Sequence, residues 1–276
     1  MSITRRRAAK MAAVATLAAA VAEGRVAELP SRNRLFARMR GGPQGQAGLW
    51  WFAGALWGKR SLDAAKQLFA VEGCSYNTLL PDPDGGLRMN MIEVGFWLDP
   101  HTRKPADDWM NPLNGLRCAP VHFMGPQALV FDAAGHARLP NAAPPGLEFS
   151  GQITEPLVSG ESVWVGETLI VKGPQQRPDT SGDPLQSGLP VFTATSLDMY
   201  QATRRDLALS EEQWLPATRS YQTLGSWYPW MRMGHEAGGI SFQMIGRKLR
   251  TLAELPAGLR SLIDERHSGW FKQYGS

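Results

Sequence analysis

Arg88-Met89-Asn90-Met91-Ile92-Glu93-Val94-Gly95-Phe96-Trp97-Leu98 reads as a β-strand. At a side-chain period of two, Ile92, Val94, Phe96 and Leu98 share one face, and Met89, Met91, Glu93 and Trp97 share the other. Both faces are therefore apolar in part. A strand with one face on a core and the other toward a lined cavity gives this pattern, and so does a strand sandwiched between two layers. Glu93 is the exception on its face. Burial there raises a carboxyl pKa or demands a cation, for which Arg88, Arg232 and Arg247 are candidates; a structural ion pair and a functional acid or base both account for it.

Outward from this strand, similar runs occupy Gly48–Leu56, Lys66–Cys74, Leu116–Phe131, Ser162–Val171, Pro190–Tyr200, Trp214–Ser220 and Gly239–Leu249. Turn chemistry separates them: Pro81-Asp82-Pro83-Asp84-Gly85-Gly86, Asp99-Pro100-His101-Thr102, Asn111-Pro112-Leu113-Asn114-Gly115, and the Pro-, Asp-, Ser- and Gly-rich stretch from Lys172 to Gly188. The expected fold is mainly β, an antiparallel curled sheet or a closed or partly closed β-barrel. A few short helices belong near the ends, with Leu252–Trp270 spaced for a helix and Asp198–Leu209 compatible with one. Residues 23–45 read as a polar connector, and residues 23–276 as a single β-rich domain.

Forty-three per cent of the 276 residues are hydrophobic and 20% are charged, and ten tryptophans are spread along the chain. That composition supports a large core with aromatic lining. The formal charge of +4 comes from the N-terminus. Arg5, Arg6, Arg7 and Lys10 are four of the 29 basic residues and no acid precedes Glu23, so residues 23–276 hold 25 basic against 25 acidic side chains. A neutral chain without a basic run argues against nucleic acid as a partner.

Residues 1–22 read as an export leader, a basic start followed by a weakly apolar run ending Ala20-Val21-Ala22. Thr4-Arg5-Arg6-Arg7-Ala8-Ala9-Lys10 is twin-arginine-like, with Ala8 and Ala9 where bulky apolar residues are usual. The leader falls short of a stable membrane span. The expected location is the periplasm, or the cytoplasm if these residues stay on as an Ala-rich helix. Cys74 and Cys118 form one disulfide or remain two buried thiols, and their spacing carries no metal signature.

Phosphate-loop and dinucleotide fingerprints are absent, as is a Gly-x-Ser-x-Gly elbow, so no cofactor is called for. The five histidines show neither HxH nor HExxH spacing, which leaves a metal only a site assembled in space from His122, His235 and Glu93. The candidate surface is residues 227–248, where Trp227, Tyr228 and Trp230 stand beside Arg232, His235 and Glu236 ahead of Gly238-Gly239. Aromatic planes next to cations and an imidazole suit a pocket for a flat, partly polar molecule. The candidate catalytic residues are His235, Glu93 and Arg232, and the candidate binding residues are Trp97, His122, Tyr200, Trp227, Tyr228 and Trp230. His235 in its Gly-flanked turn is either a mobile base or a solvated loop residue. His122, inside an apolar run, is either a hydrogen-bonded core histidine or a catalytic one.

Three blocks, in order, resemble a known bacterial family: Leu49-Trp50-Trp51-Phe52-Ala53-Gly54 with Leu68-Phe69-Ala70-Val71-Glu72-Gly73; Glu93-Val94-Gly95-Phe96-Trp97-Leu98-Asp99-Pro100 with Trp109-Met110-Asn111-Pro112-Leu113-Asn114-Gly115; and Trp230-Met231-Arg232-Met233-Gly234 with Gly246-Arg247-Lys248-Leu249. The family is catalogued as domain of unknown function 1838 (DUF1838). The match departs from it at His101-Thr102-Arg103, where a Thr-Gly pair is expected. Membership implies no settled reaction. From the residues, the expected function is a cofactor-independent lyase or isomerase that uses acid/base chemistry, such as a retro-aldol step or an elimination, on a hydrophobic, aromatic or phenolic small molecule. The alternatives are a periplasmic carrier that binds such a ligand without transforming it, and a metal-dependent hydrolase. Oligomeric state is not legible.

Overall fold

In the computed structural model, residues 29–174, 183, 185 and 191–274 are described; the leader and most of the Lys172–Gly188 stretch lie outside them. The strand that begins at Leu87 is the third of thirteen among the described residues. Strands β1 (Gly48–Arg60), β2 (Lys66–Pro81) and β3 (Leu87–Leu98) form an antiparallel meander, with Glu93 opposite Ser75 and Trp97 opposite Val71. Two short strands follow, β4 (Trp109–Met110) and β5 (Arg117–Cys118), paired in a sheet of their own. Next come β6 (Phe123–Phe131), β7 (Ala137–Arg138), β8 (Glu148–Ile153), β9 (Leu157–Ser159), β10 (Ser162–Pro174), β11 (Val191–Thr203), β12 (Thr218–Gly225) and β13 (Gly238–Leu249).

The main sheet runs β7-β6-β3-β2-β1-β13-β12-β11-β10-β8, with β9 on β10. Its ends come together: His136 bridges to Gln152, and the Ile153 N–H donates to the Gly135 carbonyl at 2.8 Å. The result is a nearly closed antiparallel barrel, which resolves the curled-or-closed alternative toward closure. Closing a sheet removes the unpaired edges that would recruit other chains.

The two faces of β3 have the two destinations its pattern allows. Val94, Phe96 and Leu98 pack outward with Leu49, Cys74, Tyr76 and Leu249 beneath helices α3 (Ala257–Arg266) and α4 (Trp270–Tyr274), whose Leu259, Ile263 and Trp270 are buried against them. Met91, Glu93 and Trp97 face the lumen. Between them Gly95 carries no side chain for a reason: a Cβ there would lie 2.0 Å from the Phe123 ring, which is held against the strand. Gly73 on β2 leaves the same kind of room for Phe52.

Three sequence expectations need correction. The connector at 23–45 contains a helix, α1 (Arg32–Arg40), whose Leu35, Phe36 and Met39 are fully buried. Four arginines and one asparagine among nine residues masked that apolar stripe. The helix-compatible stretch Asp198–Leu209 is strand through Thr203, and only Arg204–Leu207 is helical, as α2, capped by the Thr203 side chain. The run Leu116–Phe131 is broken, because β5 belongs to the small sheet and Phe123 starts a new strand. Cys74 and Cys118 are free and buried. No helix among the described residues is long and apolar enough to cross a membrane.

Candidate functional site

The lumen holds a cavity of about 1060 Å³, at the upper end of the range usual for small-molecule sites. Its mouth is aromatic. Trp97, Phe123, Tyr228, Trp230 and Phe242 line it, with ring centroids 5.2 Å apart for Trp97 and Phe123 and 5.7 Å apart for the stacked Tyr228 and Trp230. The mouth is tied together by the sequence blocks that carried the family resemblance. In the β4–β5 hairpin, Asn111 Nδ2 donates to the Met231 carbonyl at 2.8 Å and Asn114 Nδ2 to the Arg232 carbonyl at 2.9 Å. The chain there makes a single 3-10 turn, Pro229–Met231, ended by Arg232 in the left-handed conformation at φ 55°. Residues far apart in sequence thus form one rim.

The floor is charged. Arg40, the last residue of α1, enters the barrel and pairs with Glu167 of β10, and its Nε donates to Asn77 Oδ1 at 3.1 Å. On the neighbouring strands, Arg219 of β12 grips Asp198 of β11 with two parallel bonds, Nε to Oδ1 at 2.7 Å and Nη2 to Oδ2 at 2.8 Å. Tyr200 donates its hydroxyl to the same carboxylate at 2.8 Å. Register explains the crowding, since Glu167 stands directly opposite Asp198 in the ladder and two facing carboxylates need cations between them. Arg40 supplies one, its Nη1 lying 3.8 Å from Asp198 Oδ2. All four side chains are buried. Two atoms of the set have no hydrogen-bond partner, Arg219 Nη1 and Glu167 Oε2.

Glu93 lines the cavity as a half-buried carboxyl and accepts from Gln127 Nε2 at 3.1 Å. Burial pushes its pKa upward, opposed by Arg219 and Arg40. Its cations are therefore these two and not Arg88, Arg232 or Arg247: Arg88 pairs with Asp82, Arg232 with Asp183, and Arg247 lies over Trp51. Burial also raises the Glu167 carboxyl, while Arg40 beside it works the other way. The Tyr221 phenol, on the same wall, is pushed up to about 12 by burial.

Of the residues singled out in the sequence, Glu93, Trp97, His122, Tyr228, Trp230 and Arg232 line the cavity. His235 does not: it is exposed in the turn between Gly234 and Gly238 and is no part of the lining. Tyr200 and Trp227 are buried beside the cavity and not in its wall. Tyr200 braces Asp198, and the Trp227 indole N–H donates to the Glu236 carbonyl at 2.9 Å. His122 has both ring nitrogens engaged. Nδ1 accepts from the Trp97 N–H at 3.0 Å, so Nε2 carries the hydrogen directed at Asp107 Oδ1, also 3.0 Å away. Asp107 is held in turn by Arg266 of α3, whose two bonds at 2.6 and 2.7 Å bring its pKa down to about 2. His122 therefore orients the mouth and does not present a free base. The His122, His235 and Glu93 metal set is not assembled, and no three His, Cys, Asp or Glu side chains among the described residues cluster in a way that would hold a metal ion.

Sequence reasoning missed the floor. The signal was present, because Glu167 and Asp198 are acids inside apolar strand runs just as Glu93 is. Asp198 stands where the strand-like run Pro190–Tyr200 overlaps the helix-compatible stretch Asp198–Leu209, which leaves its face undefined, and Arg40 belongs to the stretch that reads as a polar connector.

The family described as "Protein of unknown function (DUF1838)" matches residues 45–273. None of the curated proteins matches the chain. Among solved structures, the chain is similar to Salmonella typhi OmpF in complex with daunomycin at 8% identity and a TM-score of 0.21, over 74% of this chain and 98% of that one, a likeness too slight to carry fold or function.

Proposed function

The chain belongs to the DUF1838 family, and for this member we propose a cofactor-independent enzyme that moves a proton next to a carbonyl group on a hydrophobic, aromatic small molecule. The observation that carries this reading is the pairing, in one aromatic-lined cavity, of a carboxyl raised by burial, Glu93, with a fixed guanidinium that has an unused N–H, Arg219. A carboxylate whose pKa is shifted toward neutrality is a competent base. As the C–H bond breaks, the proton goes to Glu93 and the electron pair moves to the carbonyl oxygen, where Arg219 Nη1 stabilises the enolate. Isomerisation and elimination pass through such a step; in a retro-aldol cleavage Glu93 would instead take the proton of the β-hydroxyl, the breaking C–C bond supplying the electron pair of the enolate that Arg219 stabilises. The role first given to Arg232 passes to Arg219, and that of His235 to Glu93.

The test is exchange of the α-protons of deoxybenzoin in D₂O, followed by NMR, with wild type and Glu93→Gln. Wild type accelerates exchange over buffer, and the variant loses about 10²–10⁴-fold of that rate while its affinity stays within threefold. Ligand binding without accelerated exchange assigns the cavity to the carrier reading instead. Export through residues 1–22 belongs to the same proposal. Recovery of a chain beginning near Glu23 from a periplasmic fraction supports it, and a full-length cytoplasmic chain overturns it.

A further inference from the structure

The charge count on the floor narrows the ligand. Two guanidiniums, Arg40 and Arg219, face three carboxyl groups, Glu93, Glu167 and Asp198, inside a barrel whose aromatic mouth keeps the local dielectric low. With all five ionised the floor carries one negative charge, and with Glu93 protonated it carries none. An anionic headgroup would make either state more negative, and in a buried site an uncompensated charge is far costlier than in water. The two unpartnered atoms show what the floor lacks. Arg219 Nη1 is a donor that needs an acceptor, and Glu167 Oε2 is an acceptor that needs a donor. They lie on β12 and β10, on either side of Asp198 in β11, and both residues line the same cavity.

We propose that the cavity takes an uncharged ligand of two aromatic rings bearing a carbonyl and a neighbouring hydroxyl group, the carbonyl oxygen accepting from Arg219 Nη1 and the hydroxyl donating to Glu167 Oε2. This rests on the function proposed above and names its substrate class. Two rings are called for because one benzene-sized molecule would leave much of about 1060 Å³ empty, and Trp97, Tyr228 and Trp230 offer faces for stacking at the mouth. The hydroxyl sits on the carbon that loses its proton, as an α-hydroxy ketone requires for isomerisation through an enediol.

The experiment is a calorimetric titration of purified wild-type protein at pH 8 with five two-ring probes: benzoin, deoxybenzoin, 1,2-diphenylethanol, bibenzyl and benzilate. Benzoin is expected to bind at least about tenfold tighter than deoxybenzoin, which lacks the hydroxyl, and than 1,2-diphenylethanol, which lacks the carbonyl, because each analogue leaves a buried polar atom unpaired. Benzilate, of similar size but anionic, is expected to bind weakest of the polar probes. A Glu167→Gln variant brings benzoin and deoxybenzoin to within threefold of each other while leaving bibenzyl affinity unchanged, which also shows that the variant is folded. Benzilate binding as tightly as benzoin overturns the proposal in favour of an anion seat. Equal affinity for benzoin and bibenzyl overturns it while leaving the aromatic cavity standing. Absence of binding by any probe, bibenzyl included, overturns both this inference and the function on which it rests.

Discussion

Lys248 gives the sharpest prediction about how the floor is held in place. It sits on β13, is 4% exposed, and donates from Nζ to the Arg38 and Met39 carbonyls at 3.1 and 3.2 Å, at the C-terminal end of α1 just before Arg40. Burial first, and the positive charge of Arg38 second, bring its pKa from 10.5 down to about 7. The unfolded chain holds this proton up to about 10.5 and the folded one releases it above about 7, so between those values the unfolded state binds more protons and stability rises with pH. At 1.36 kcal/mol per unit, the gain between pH 7 and 9.5 is about 3 kcal/mol. In Lys248→Met the stem volume is kept and the charge removed, at a cost, independent of pH, of about 1–3 kcal/mol for the two carbonyls left without a donor. Urea unfolding of wild type and variant at pH 6.5, 7.5, 8.5 and 9.5 isolates the lysine, since every other titrating group cancels in the difference. The wild-type advantage should widen steadily from pH 7 upward. A difference that stays flat across this range would refute the reasoning, because it would mean that the helix carbonyls hold the amine as an ammonium throughout.

Asp198→Asn removes the charge that anchors Arg219 and leaves a guanidinium unpaired in the lumen. The expected loss is about 3–5 kcal/mol, a Tm lower by about 6–20 °C at 2–4 °C per kcal/mol for a chain of this size; a Tm within 2 °C of wild type on circular dichroism melting would contradict the ion-pair account. Gly95→Ala drives a methyl group into the Phe123 ring and costs about 1–3 kcal/mol, with the displaced ring also weakening bibenzyl binding. Gly125→Ala on the facing strand has nothing within 4 Å and serves as the control, expected within about 0.5 kcal/mol. Glu93→Gln should be more stable than wild type at pH 8: a carboxyl raised by burial keeps its proton longer in the folded state, so its contribution is present at low pH and lost as pH rises past the ordinary glutamate value of about 4.3. Chemical denaturation of the two proteins should converge below pH 4, and a wild type that stays the more stable at pH 8 would show that the cations outweigh burial at this site.

The barrel was legible where period-two alternation is local. β1, β3, β10 and β13 begin within a residue of where apolar alternation and turn chemistry place them, and the double apolar character of β3 is explained by helices on one side and a cavity on the other. Strands β7, β8 and β9 were not legible, because two to six residues with Gly and Pro between them carry too little pattern and are held by partners distant in the chain. The aromatic half of the site could be read, since Trp97, Tyr228 and Trp230 announce themselves by residue type. His235 draws attention for the same reason and is exposed, because a Gly-flanked turn does not by itself direct an imidazole inward.

The floor escaped for a different reason. Arg40, Glu167, Asp198 and Arg219 come from four separate segments, and each alone reads as a surface charge or a strand irregularity. The antiparallel pairing of β10 with β11 sets Glu167 opposite Asp198, and the end of α1 brings Arg40 between them. Buried ion pairs seldom repay their desolvation, and an apolar lumen of the same volume would often be equally stable or more so. A purely aromatic cavity would already retain a hydrophobic ligand. What the charged floor adds is orientation and discrimination: a donor and an acceptor fixed in position, a carboxyl near enough to feel both guanidiniums, and an electrostatic penalty against anions. The proposed acid/base chemistry rests on these three features, with one end of the molecule reacting while its other end is held, whereas a carrier would call only on the aromatic part of the cavity.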